Sequence, residues 1–294
     1  TTLSINTNNL ADLAKLNLVH TAVHSVKPHA LVITETKTHT QAASHLHLDS
    51  EYQFYEMVGP HSSPSHPPKW GAILGVSKAF HSQLVPTPFG VLQHCVVIVD
   101  VIIPTTNGSR FPCHLFAVYI LWDHRIPDIG LFWQAMIEAC NSSPFPWSAT
   151  GNFNATQVAC ETSSLSPSSI NCNCYSSFLC ELCAHDLWND QPDQNTHHHY
   201  TYHNIFGSSI IDHAAHSIQG ILEGSIEVAP YFISATHFHH NCSGCCLSSP
   251  PHHMLLPPLF SLLSIFHSMS FISPSLCALL FIIDTSITSM SSGS

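Results

Sequence analysis

The chain has 294 residues, room for one large domain or two small ones around a sizeable core. Charged residues make up only 9% and hydrophobic residues 45%, which excludes a charge-rich disordered chain and a charged coiled coil. Seven Lys and Arg stand against 18 Asp and Glu and 25 His, a formal charge of −11, so the composition supplies little fixed positive charge for gripping a phosphate backbone.

Residues 2–7 read as a short strand. Apolar residues then recur at Leu10, Leu13, Leu16, Val19, Val23 and Val26, one helical stripe that stops before Pro28. The run 30–35 is continuously apolar, as in a strand buried on both faces, and ends on Glu35. Strands follow at 52–58 and 70–77 around a Pro/Ser/His loop, then at 94–103 and 113–120 around a Thr/Asn/Gly turn. A helix fits 127–140, with Trp133, Met136 and Ile137. Residues 146–154 read as a strand entering a sharp turn, and a second helix falls near 173–184. Further strands fit 200–202, 208–212 and 226–234, an α+β pattern.

The tail differs. No charged residue occurs from Leu255 to Ile283, a length that would span a membrane, although Pro257, Pro258 and Pro274 interrupt it. Twelve cysteines without regular spacing fit a reduced, intracellular setting. Cys172, Cys174, Cys180 and Cys183 include a C-x₂-C step of the kind zinc uses, but free cysteine is also common on a buried packing helix. His239, His240, Cys242, Cys245, Cys246, His252 and His253 form a denser group that reads as a polar loop.

Polar residues at the strand ends fall into an order. Ile5-Asn6-Thr7-Asn8-Asn9-Leu10 comes first, then Ile33-Thr34-Glu35-Thr36-Lys37 and Tyr119-Ile120-Leu121-Trp122-Asp123. Gly151-Asn152-Phe153-Asn154-Ala155-Thr156, Asp186-Leu187-Trp188, Ser209-Ile210-Ile211-Asp212 and Thr236-His237 follow. This series resembles the endonuclease/exonuclease/phosphatase superfamily, whose motifs read W-N-x-N-G-L, E-T-K, Y-A-P-W-D, G-D-F-N-A-T and a closing D-H. The nearest texture is that of the apurinic-type endonucleases of LINE-like retrotransposons.

The resemblance covers residues 1–238 and implies a four-layer αββα sandwich of the DNase I-like kind, with the motifs gathered at one edge. Residues 239–294 would be a His/Cys/Ser/Pro-rich and apolar tail outside that domain. No alternating apolar run follows Phe238 until Met254, so the last sheet is expected to lack a strand. The implied activity is Mg²⁺-dependent phosphodiester hydrolysis, with Asn6 and Glu35 as metal ligands. Magnesium prefers hard oxygen donors and keeps several waters. Tyr119 would contact phosphate, Asn154 would orient it, and Asp212 would support His237, which donates to a phosphoryl oxygen. Position 152 is where the family carries the aspartate that takes a proton from attacking water.

Here that position is Asn152, an amide that cannot act as a base near neutral pH, and the closing aspartate is Thr236. The expectation is an impaired or silent enzyme, or a non-catalytic binding protein on the same fold. DNA is the implied partner, opposed by the low Lys/Arg content, and a nuclear site would follow if the endonuclease functioned. No protein partner is indicated, and a membrane contact has support only from residues 255–283. Composition suggests an origin as well. C-to-T transitions on either strand turn arginine codons into His or Cys and Asp into Asn. The chain has two arginines, Arg110 and Arg125, beside 25 His and 12 Cys. A decayed transposon copy would account for both that bias and Asn152, and alignment with intact copies from the same genome reads it directly.

Overall fold

In the computed structural model the described residues are 1–38, 42–59, 70–86, 90, 94–104, 109–120, 129–156, 170–188, 202–204, 207–217, 222–228 and 279–287. The chain opens with strand β1 (Thr2–Asn6), helix α1 (Leu13–Val26) and strand β2 (Ala30–Thr34). β1 and β2 pair in parallel, so α1 is the crossover of a βαβ unit. A 3-10 turn (Ala43–Leu46), β3 (Tyr52–Val58), β4 (Gly71–Ser77) and β5 (His81–Leu84) follow. Next come β6 (Val96–Pro104), β7 (Arg110–Tyr119), α2 (Ile129–Asn141) and β8 (Trp147–Asn152). β7 and β8 are again parallel across a helix. The described chain continues with α3 (Ile170–Glu181), β9 (Ala184–Asp186), β10 (Tyr202–Asn204), β11 (Gly207–Ser209) and β12 (Asp212–Ser217). β13 (Leu222–Val228) and β14 (Leu279–Ile287) complete it.

Two six-stranded sheets result, ordered β13-β14-β1-β2-β4-β3 and β5-β6-β7-β8-β12-β9. Strand alternation sorts their side chains into three cores. Leu31 and Ile33 face α1 with Val19 and Val23, while Val32 between them faces the other sheet. Val97, Val99 and Val101 of β6 meet Val32, Ala72, Leu74 and Val76 between the sheets. Val96 and Ile98 point the other way, toward Trp133 and Met136 of α2 and Phe178 of α3. Three cores between four layers make helix, sheet, sheet, helices: the expected αββα sandwich.

Several expectations need correction. Leu13 was placed on the buried stripe of α1 but is 71% exposed. Asp12 accepts from Ala14 N at 2.8 Å and caps the helix there, so Leu10 lies before it and the stripe starts in a different phase. Lys15 takes a buried place on that helix instead. Strands β5 and β9 and the polar strand β12 were not anticipated as such. The second helix begins three positions earlier than expected, at Ile170 rather than 173.

The largest correction concerns the tail. The sheet expected to lack a strand has one: β14 pairs antiparallel with β1 on one side and β13 on the other. Part of the segment expected outside the sandwich therefore lies inside it. Among the described residues no helix is long and apolar enough to cross a membrane. The His/Cys group at 239–253 lies outside the described residues.

Gly151 fixes how closely β8 approaches β7. Its φ is +142, and a Cβ there would collide with the Val118 carbonyl. Gly151→Ala combines a strained backbone with overpacking, each typically about 1–3 kcal/mol. A stability loss of at least about 2 kcal/mol is expected. It is checked by the urea midpoint, and an unchanged midpoint would contradict this placement.

Candidate active site

Both βαβ units release their chains at the same edge. There the C-terminal ends of β1, β2, β7 and β8 carry Asn6, Thr34-Glu35, Tyr119 and Asn152. β12 starts at that edge, with Asp212 opposite Asn152, while Tyr119 stands opposite Asn152 on the other side. Asn152 is thus the middle of a three-strand row, 2% exposed.

In the other sheet, Asn6 pairs with Thr34, one residue before Glu35. The chain leaves β2 through Glu35 in a left-handed conformation, φ 58. Asn9 N donates to Glu35 O at 2.8 Å, tying the two strand ends together. Lys37 Nζ lies 2.6 Å from Glu35 Oε1 and donates to Asn8 Oδ1 at 2.6 Å. Lys15 Nζ donates to the Asn8 carbonyl at 2.6 Å. Burial lowers the Lys15 pKa, with Lys37 nearby acting in the same direction and Asp12 and Glu35 opposing it. Asn6 Oδ1 accepts from Asn8 N at 3.1 Å.

The two sheets meet at Tyr119. Its side chain is buried and lies within electrostatic reach of Glu35 from the other sheet and Asp212 from its own. Burial pushes the Tyr119 pKa far up, and the Glu35 and Asp212 carboxylates push the same way. Tyr119 is therefore a neutral donor at any physiological pH, facing two carboxylates.

The turn after β8 is anchored by Phe153, fully buried against Trp133 and Tyr175 at ring-centroid distances of 6.3 and 5.1 Å. Burying such a ring contributes roughly 1.5–3 kcal/mol, and it leaves the flanking asparagines at the edge. Asn152 Oδ1 accepts from Asn154 N at 2.9 Å, and Asn154 Nδ2 donates to Ile120 O at 2.6 Å. Asn154 itself is left-handed, φ 45, a conformation asparagine tolerates.

Asn6, Glu35, Tyr119, Asn152, Asn154 and Asp212 thus lie at one edge. His237 and Thr236 fall outside the described residues. Two residues there were not singled out, Lys15 and, on β12, His213, and Asn8 stood in a motif without a role. Lys37 stood in a motif but was given no role. The C-x₂-C cysteines lie elsewhere, with Cys172 buried and accepting from Thr156 N at 3.3 Å, and Cys180 and Cys183 exposed. Among the described residues no cluster of three or more His, Cys, Asp or Glu is poised for a metal.

No protein-family model and no curated protein sequence matches the chain. Solved structures do. AP endonuclease LMAP from Leishmania major superposes with a TM-score of 0.59 at 14% identity, over 78% of this chain and 83% of that one. The endonuclease domain of TRAS1, a telomere-specific non-LTR retrotransposon, gives 0.55 at 12% identity over 80% and 92%. The APE2 catalytic domain of Xenopus laevis gives 0.59 at 10% identity over 98% and 94%. The chain has the DNase I-like fold, the α+β sandwich of these structures.

Proposed function

We propose that this chain is a phosphodiesterase domain of the Mg²⁺-dependent DNA endonuclease type, of retroelement origin, in which turnover is impaired. One observation carries the reading. A neutral, buried tyrosine lies within electrostatic reach of Glu35 and Asp212, which come from two different sheets, and the amide of Asn152 stands in the row between Tyr119 and Asp212.

The donors fit a hard cation. Glu35 offers a carboxylate and Asn6 an amide oxygen, a set suited to an ion that keeps several waters. Mg²⁺ bound there would neutralise charge on a phosphoryl oxygen and the leaving group. Lys37 now holds the Glu35 carboxylate and would have to release it. Tyr119 would donate to a phosphoryl oxygen through its neutral hydroxyl. Asn154 has one amide N–H committed to Ile120 O and a second left to orient phosphate. Asp212 would hold His237 for the same phosphate. Asn152 has no basic lone pair, and a positioned general base typically contributes about 10²–10⁴ in rate.

A second reading, a non-catalytic pseudoenzyme or binding protein on the same fold, is favoured by the amide that Asn152 places in the buried middle of the three-strand row. Both readings are tested on plain and abasic duplex DNA with Mg²⁺. The expected result is cleavage at or near background, with Mg²⁺ binding by calorimetry that weakens in Glu35→Gln. Robust Mg²⁺-dependent cleavage by the unmodified chain would overturn the impairment. Mg²⁺ binding indifferent to Glu35→Gln would overturn the site.

A further inference from the structure

Beneath the edge lies a buried polar network that the proposed chemistry does not use. His213 follows Asp212 on β12, and its side chain is 0% exposed, as is that of Asp186 on β9. His213 Nδ1 lies 2.7 Å from Asp186 Oδ2, and Nε2 lies 2.7 Å from the Ala155 carbonyl oxygen. A carboxylate and a peptide carbonyl can only accept. Both ring nitrogens must therefore donate, because a neutral ring would press a lone pair against one of these oxygens. We infer that His213 is a buried imidazolium, and that it is a positioning residue that holds the candidate catalytic turn in place.

The ion pair is well satisfied, the condition for a buried pair to persist. Asp186 Oδ2 also accepts from the Tyr175 hydroxyl at 2.7 Å, and Oδ1 from Trp188 N at 3.1 Å. The Tyr175 ring lies 4.7 Å from the imidazole, centroid to centroid. Ala155 ends the turn that carries Asn152 and Asn154, so the imidazolium pins that turn from below. Trp188 Nε1 donates to the Asp212 carbonyl at 2.9 Å, so the same cluster holds the strand opposite. Among the described residues the titratable groups facing the ring are Asp186 from β9 and Tyr175 from α3. Asp212 is its neighbour on β12. β8 and its turn present Gly151, Phe153 and the Ala155 carbonyl, none of which titrates.

The inference takes its catalytic meaning from the proposed function, but its test does not need turnover. In the full chain carrying ¹⁵N-histidine, His213 is expected to show both ring nitrogens protonated at about pH 7.5, where an ordinary histidine, titrating near ~6.5, is neutral. Asp186→Asn removes the charge that holds the proton. It is expected to leave His213 neutral at that pH, with faster amide exchange at Asn154 and unchanged exchange across β6 and β7. At a pH low enough to reprotonate the ring, exchange at Asn154 should recover in the same variant, which a merely structural defect would not do. A neutral His213 in the folded parent would overturn the inference. So would Asn154 exchange that ignores the His213 protonation state. Both readouts stand even if no DNA is cleaved, so failure of the endonuclease reading would be seen separately.

Discussion

Asn152→Asp is expected to raise Mg²⁺-dependent cleavage of duplex DNA by about 10²–10⁴-fold over the parent chain, the usual contribution of a positioned general base. The substitution is nearly isosteric. A carboxylate oxygen can accept from Asn154 N as the amide oxygen does now at 2.9 Å, so the turn should survive. What changes is charge. A carboxylate at this buried position would join Glu35 and Asp212 around Tyr119, and desolvation with like charges raises a carboxyl pKa toward the range useful for a base. The same repulsion should lower stability without Mg²⁺ and make the variant gain more from added Mg²⁺ than the parent does. Thermal unfolding with and without the ion checks that half; initial rates on plain and abasic duplexes check the other. Adding Thr236→Asp restores the second missing carboxylate and should raise the rate further. A folded double variant that still cleaves at background would sink the claim that these two positions silence the site.

Much of the sandwich was legible because its inner strands are apolar runs. Residues 30–34 are buried throughout, and a continuous apolar stretch is what a strand covered on both faces requires. β12 was not legible for the opposite reason. Asp212-His213-Ala214-Ala215-His216-Ser217 is buried along its length yet reads as polar. It is tolerated there because partners such as Asp186 and the Ala155 carbonyl lie on other elements, which periodicity cannot see. β9 is three residues long and falls below any pattern. At the edge, motif order named Glu35 and Tyr119 but not that they approach each other from two sheets. Nor could it show that Lys37 already sits on Glu35, since that contact needs the left-handed exit of the chain from β2.

The tail strand was hidden by distance. β14 begins about forty residues beyond the closing Thr236-His237 pair and follows Pro-interrupted sequence, so its run Leu279-Leu280-Phe281-Ile282-Ile283 looked like part of an uncharged extension. Its position is nevertheless interior, because Thr2–Asn6 pairs with it on one side and Leu222–Val228 on the other. Ending the chain at Ala278 would therefore split the sheet between β13 and β1. Leu3 and Ile5 on β1 are buried, and the backbone groups of β1 facing β14 would lose their ladder. Each unpaired buried group costs about 1–3 kcal/mol, so several together approach the whole stability of an ordinary domain, roughly 5–15 kcal/mol. The truncated chain is expected to lose cooperative unfolding or to be recovered only in aggregates. Ile282→Pro is the milder version: Ile282 pairs with Leu3 and with Glu227, and proline within a central strand removes a donor and clashes with the ladder. It should lower the urea midpoint sharply while the same substitution outside the described strands does not. If the truncated chain instead unfolds with the parent's midpoint and slope, β14 contributes nothing to the sandwich. The sheet would then end at β1, as the lack of an alternating apolar run after Phe238 implied.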